Sequence, residues 1–198
     1  ISLLNMGRTH EAEFQFKKAL LLWPDLLEAS LGLGCCLHSQ GEYARALEIY
    51  DRALQITPKE SALWNNRGNT LLEMCFFDQA AVSFLRALKF SPGLQDARIA
   101  LATCYQAMGL IEEAMASCDS VLSENSENAE AHWNRSLLLL LTGNYTEGWR
   151  EYEWRWRKRN FTSPYRNFQQ PLWRGESLEG RTILIHAEQG FGDTIQFC

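Results

Sequence analysis

The sequence predicts an all-α array of antiparallel helix pairs stacked side by side, and three observations carry that prediction. The first is self-similarity at 34 residues: Pro24, Pro58 and Pro92 keep that interval, as do Ala12, Ala46 and Ala80, and Ala19, Ala53 and Ala87. The second is a set of further columns on the same beat. Phe16, Tyr50 and Phe84 form one; Gly7, Gly41, Gly109 and Gly143 form another, with Cys75 in the missing place; Gly34 and Gly68 form a third. The third is composition: 46% hydrophobic residues in 198 is enough to bury a sizeable core if neighbouring units cover one another.

Each column has a physical job. A glycine such as Gly41 or Gly109 falls between two amphipathic stretches and lets the chain turn left-handed at a helix end. Ala46 and Ala53 lie seven apart, on one helix face, where small side chains let two helix axes approach. Tyr50 lies between them and fills the remaining gap, and Pro58 ends the helix and sets the exit turn. Residues 1–126 hold half a unit and three full units. The unit at 127–159 is degenerate: Gly143 and Tyr152 are kept, but Gly148 and Arg155 stand where alanines belong. Residues 160–180, with Pro164, Pro171, Gly175 and Gly180, read as a connector. Residues 181–188 read as a buried strand, followed by a Gly-Phe-Gly loop and the start of a helix, a short α/β fragment ending at Cys198. The chain starts and stops mid-element and reads as a piece of a longer one.

These columns resemble the tetratricopeptide repeat (TPR) family. With repeat position one at Leu27, the family's small residue at position eight is Gly34, its small residues at twenty and twenty-seven are Ala46 and Ala53, its aromatic at twenty-four is Tyr50 and its proline at thirty-two is Pro58. The next unit matches with Trp64, Gly68, Ala80, Phe84, Ala87 and Pro92. The fourth is looser, with Cys118, Val121 and Ser126 at the aromatic, alanine and proline positions. The resemblance implies a right-handed superhelical solenoid whose first helices line a concave groove for a peptide or partner protein. The groove candidates are Asn65, Asn66, Asn69, Glu73, Thr103, Gln106 and Asn134, because amides both donate to and accept from a peptide backbone. Glu28, Leu31, Cys35, His38, Leu72, Asp96 and Ile99 share that face. Asn66 and Asn134 occupy one repeat position, as in the asparagine ladder of O-GlcNAc transferase, but Gly32 and Ala100 interrupt it here. The alternative reading is that these amides only solvate the groove or cap helices. The chain does not resemble repeats that clamp a terminal carboxylate; Arg67 and Arg98 are the candidates for that role.

Composition shifts near Asn144, where Trp149, Trp154 and Trp156 interleave with Arg150, Arg155, Arg157, Lys158 and Arg159. Such a mixture can bind single-stranded nucleic acid. The preferred reading is an aromatic and basic helix capping the solenoid, with Trp149, Tyr152 and Trp156 on one face. A net charge of −5 opposes a general nucleic-acid or membrane-surface role, and no apolar stretch is long enough to span a bilayer. Six cysteines without a CxxC pair give no zinc spacing, so neither a metal nor a cofactor is expected, and reduced thiols point to the cytoplasm.

The tail from Gly148 to Phe197 resembles bacterial proteins that join such repeats to a heptosyltransferase-like glycosyltransferase domain of two Rossmann-like halves (GT-B type). That resemblance implies that Gly192-Asp193 matches a Gly-Asp pair whose aspartate activates the acceptor hydroxyl, making Asp193 catalytic in a longer parent. Asp193 is also a good helix cap. Gly190 and Gly192 are candidates for a phosphate-binding loop, although the third glycine of a dinucleotide fingerprint would fall at Ile195. A nucleotide sugar would bind only the full-length parent, and this piece is expected to be inactive as the substrate-recruiting arm.

Overall fold

The computed structural model describes residues 9–163, 168–171, 173 and 176–184. Within them the chain forms nine α-helices: α1 (Thr9–Leu22), α2 (Leu27–Ser39), α3 (Tyr43–Ile56), α4 (Ser61–Glu73), α5 (Phe77–Phe90), α6 (Gln95–Ala107), α7 (Ile111–Glu124), α8 (Ala129–Leu141) and α9 (Tyr145–Tyr152). A 3-10 turn, Glu153–Arg157, continues α9. The even-numbered helices are the first of each pair and the odd-numbered ones the second. Starts recur every 34 residues in both sets, so no insertion breaks the register.

The turns inside each pair follow from one backbone device. Gly41, Gly109 and Gly143 have φ of 78°, 76° and 83°, and the following amide closes back on the first helix: Glu42 N donates to Leu37 O at 2.9 Å, Leu110 N to Tyr105 O at 2.8 Å and Asn144 N to Leu139 O at 2.9 Å. Cys75 takes the same conformation at φ 60°, with Phe76 N donating to Leu71 O at 2.9 Å. The turn therefore forms without glycine, with the strain an L side chain carries in that region.

Small residues admit large ones across each pair. A Cβ at Gly34 would lie 2.2 Å from the Tyr50 ring, and one at Gly68 would lie 2.7 Å from Phe84. In the fourth unit the same site holds Ala102 against Cys118, both buried: one residue gains a methyl where its partner loses a ring. Ala46, Ala80, Ala87 and Ala114 are fully buried, and Ala53 nearly so. The degenerate sequence of the fourth unit thus keeps the volume balance of the regular ones.

The stack curves because contacts are uneven. α2 touches α4, α4 touches α6 and α6 touches α8, while no comparable contact joins the second helices to one another. The line of first helices is therefore the inner, concave side. At the end, α9 and the 3-10 turn pack back on α8. Trp154 stacks on His132 at 3.9 Å, and Tyr152 lies 4.8 Å from Trp133. Trp149 departs from the expected apolar face: it is 58% exposed. The helix gives way to a 3-10 turn after Tyr152, which changes the angular step per residue and brings Trp154 onto α8.

The expected α/β fragment is corrected in part. Residues 181–184 form no strand and Leu184 is 68% exposed; a lone strand has no described neighbour to pair with. The remainder, including Gly190, Gly192 and Asp193, lies outside the described residues.

Candidate partner-binding groove

The concave stripe is read from burial along each first helix. On α2 it runs Glu28, Leu31, Cys35, His38; on α4, Asn65, Asn69, Leu72, Glu73; on α6, Asp96, Ile99, Thr103, Gln106. The α2 and α6 runs are spaced by three or four residues, as are Asn65, Asn69 and Leu72 on α4, one face of a helix, with Glu73 at its C-terminal edge. Glu28, Glu73 and Asp96 are exposed and the others half-buried. The opposite faces hold Leu33, Leu37, Leu63, Leu71 and Leu101, all buried.

Hydrogen bonds knit the floor of this surface. Asn134 Nδ2 donates to Ile99 O and to Thr103 Oγ1, each at 3.3 Å. Asn66 Nδ2 donates to Cys35 Sγ at 3.5 Å, and Tyr50 Oη reaches the same sulfur at 3.7 Å. His38 Nδ1 lies 3.1 Å from Thr70 Oγ1. Asn66, Asn134 and Thr103 therefore join neighbouring first helices. Asn65 differs: its buried Oδ1 meets no donor among the described residues. Asn69, Glu73 and Gln106 lie on the same stripe.

The two arginines considered for a carboxylate clamp point elsewhere. Arg67 donates through Nε to Asp51 at 2.7 Å and through a terminal nitrogen to Ser83 Oγ at 2.8 Å. Arg98 pairs with Glu124 and bonds Pro92 O.

One positioning device escapes the column reading. Trp64 Nε1 donates to Pro58 O at 2.9 Å, Arg98 bonds Pro92 O, and His132 Nε2 lies 2.9 Å from Ser126 O. These three donors sit 34 apart and pin α4, α6 and α8 to the preceding exit turns. They share no side-chain type, only an N–H, which is why residue identity hid them.

Electrostatics concentrate at α8 and α9. Arg135 pairs with Asp119 at 3.0 Å, Glu147 at 2.8 Å and Glu151 at 3.2 Å, and its hydrogen bond holds the Glu147 carboxyl below its ordinary range. Arg157 pairs with Glu127 at 2.6 Å and its guanidinium lies 4.4 Å from the Trp154 ring centre. Arg135, Arg155, Arg157 and Lys158 are thus engaged by local acids and rings. Burial pushes the thiols of Cys104 and Cys118 up to about 11 and about 12, so both stay protonated. Among the described residues no three His, Cys, Asp or Glu side chains gather as a metal site needs, and no helix is long and apolar enough to cross a membrane.

Fold and face together define a helical-repeat solenoid with one open, partly polar side. The chain is a tetratricopeptide-repeat protein: two profiles described as tetratricopeptide repeat match residues 1–61 and 77–138. Protein FlbA of Caulobacter vibrioides is 30% identical over 179 residues, 88% of this chain and 30% of FlbA. The peroxisomal targeting signal receptor of Kluyveromyces lactis is 29% identical over 96 residues, 48% of this chain and 17% of the receptor. The chain thus spans less than a third of the length of these relatives. Among solved structures, MamA from Desulfovibrio magneticus superposes with a TM-score of 0.71 at 17% identity, over 77% of this chain and 86% of that one. YrrB, described as a TPR protein with an unusual peptide-binding site, gives 0.64 at 20%, over 77% and 78%. At those identities the structural likeness speaks for the fold alone.

Proposed function

We propose that this chain is a protein-interaction scaffold whose first helices α2, α4, α6 and α8 hold an extended segment of a partner protein along their concave face. The observation that carries the reading is the half-buried polar stripe of the first helices, where Asn65, Asn69, Thr103 and Gln106 can donate to and accept from a guest backbone. The fold likeness to YrrB supports the same use. The five described cysteines are free thiols, and the reading puts the scaffold in the cytoplasm. The test is affinity capture from an extract of the producing organism with the parent chain and with N65A/N69A. Loss of the captured protein with an unchanged melting curve is the expected result. Equal capture by both chains rejects the groove.

A second reading concerns the tail. The similarity to FlbA covers 179 residues, more than the helical array from Thr9 to Arg157 contains, and so reaches into the tail. In that reading the array is the recruiting arm of a longer, glycosyltransferase-like chain in which Asp193 serves as base and Gly190 and Gly192 cradle phosphate. Nucleotide-sugar turnover by the longer gene product, abolished by D193A, is the expected outcome. A longer product without turnover removes it.

A further inference from the structure

The concave face carries charge of one sign, and the reason lies in where the first helices send their cations. Arg67, Arg98 and Arg135 belong to α4, α6 and α8, and each reaches away from the stripe to an acid on a second helix: Asp51, Glu124 and Asp119. The carboxylates of the stripe stay behind. Glu28, Glu73 and Asp96 are exposed and form no ion pair with any described residue. The amides add the same bias. Asn66 and Asn134 donate their N–H groups to the preceding helix, which leaves their carbonyl oxygens as acceptors, and Asn65 Oδ1 is an acceptor without a donor. The face thus keeps its carboxylates while the cations of the same helices are drawn to the second helices.

The degenerate last unit, residues 127–159, shows what such a stripe holds. Lys158 Nζ lies 3.3 Å from Glu130 Oε2 and 4.5 Å from the centre of the Trp133 ring. Glu130 and Trp133 occupy the repeat positions of Asp96 and Ile99, and of Glu28 and Leu31. The last copy of this carboxylate-plus-apolar pair is therefore filled by a lysine of the chain itself. This contact is independent of the charge count, and it supplies the geometry of the guest's cation.

We infer that the groove of α2, α4 and α6 selects a lysine- or arginine-bearing extended segment of a partner protein. Its cationic heads sit at Glu28, Glu73 and Asp96, and its aliphatic stems lie along Leu31, Leu72 and Ile99. The inference rests on the groove reading above and adds the sign of the guest's charge.

Fluorescence anisotropy with two labelled peptides tests it. They are identical serine–leucine chains except that every third residue is lysine in one and glutamate in the other. The parent chain is expected to bind the lysine peptide at least about tenfold more tightly at about 0.05 M salt. The gap should narrow toward about 1 M, where the screening length falls to about 3 Å. E28K/E73K/D96K should reverse the preference, whereas E48K/E113K, at exposed acids of the second helices, should keep it. If the triple reversal does not fold, E28Q/E73Q/D96N should still erase the preference. Equal affinities, preference for the glutamate peptide, no binding of the lysine peptide, or a preference that tracks the second-helix variant would each overturn the inference. If the charge assignment alone is wrong, N65A/N69A still loses the captured partner while the charge variants retain it.

Discussion

Cys75 shows how much of the fold a single residue carries. Its φ of 60° occupies the region that Gly41, Gly109 and Gly143 fill in the other pairs. The thiol is exposed and the turn's hydrogen bonds are intact, so nothing but backbone strain distinguishes it. Replacement by glycine relieves about 1–2 kcal/mol of strain and returns part of it as unfolded-chain entropy. C75G should therefore gain about 1 kcal/mol, a rise of about 2–4 °C in Tm for a chain of this size; an unchanged or lower Tm contradicts it. The column of glycines with one cysteine was visible in the sequence, and so was the turn. Cys118 makes a second case. Its thiol ionises near pH 9 when unfolded and near 12 when buried. Between those values the unfolded chain has lost a proton that the folded chain keeps, so stability falls as pH rises from about 9 to about 12. C118A should flatten that decline in urea midpoints measured between about pH 9 and 11. A slope equal to the parent's would contradict the burial assigned to the thiol.

At the scale of the helix pair, the small residues set how closely axes approach. Ala53 lies in the core that joins α2, α3 and α4, beside Tyr50 and Leu63. A53L inserts three carbons at a buried position of that core, and should cost on the order of 1–3 kcal/mol. A melting curve equal to the parent's would mean that α3 does not nest there. The alanine, aromatic and proline columns made the helix pairs and their 34-residue beat legible, because packing volume and chain reversal depend on residue type. The pins from Trp64, Arg98 and His132 to the exit turns were not legible, because a carbonyl accepts any N–H that reaches it. Nor was the seating of Trp154 in place of Trp149, since helical spacing does not anticipate where a helix tightens into a 3-10 turn.

At the scale of the whole molecule, function follows from which side of the stack is left open. Neighbour-only contacts make the array long and its stability local, while mutual contact of α2, α4, α6 and α8 bends it around a polar, acid-bearing face. The sequence located that face through the resemblance, and it named Asn65, Asn69, Glu73 and Gln106 on it. It could not separate them from Asn66 and Asn134, whose amides are engaged between helices; that division depends on inter-helix distances of a few ångströms. The second helices present their own exposed apolar residues, Val82 and Leu85, so the inner face has a rival on the same molecule. A photoreactive benzoylphenylalanine placed at Asn69 and, in a separate chain, at Val82 distinguishes the two faces. Irradiation with the partner bound should give a covalent adduct from position 69 and none from position 82; an adduct from position 82 alone would place the partner on the outer face and contradict the account.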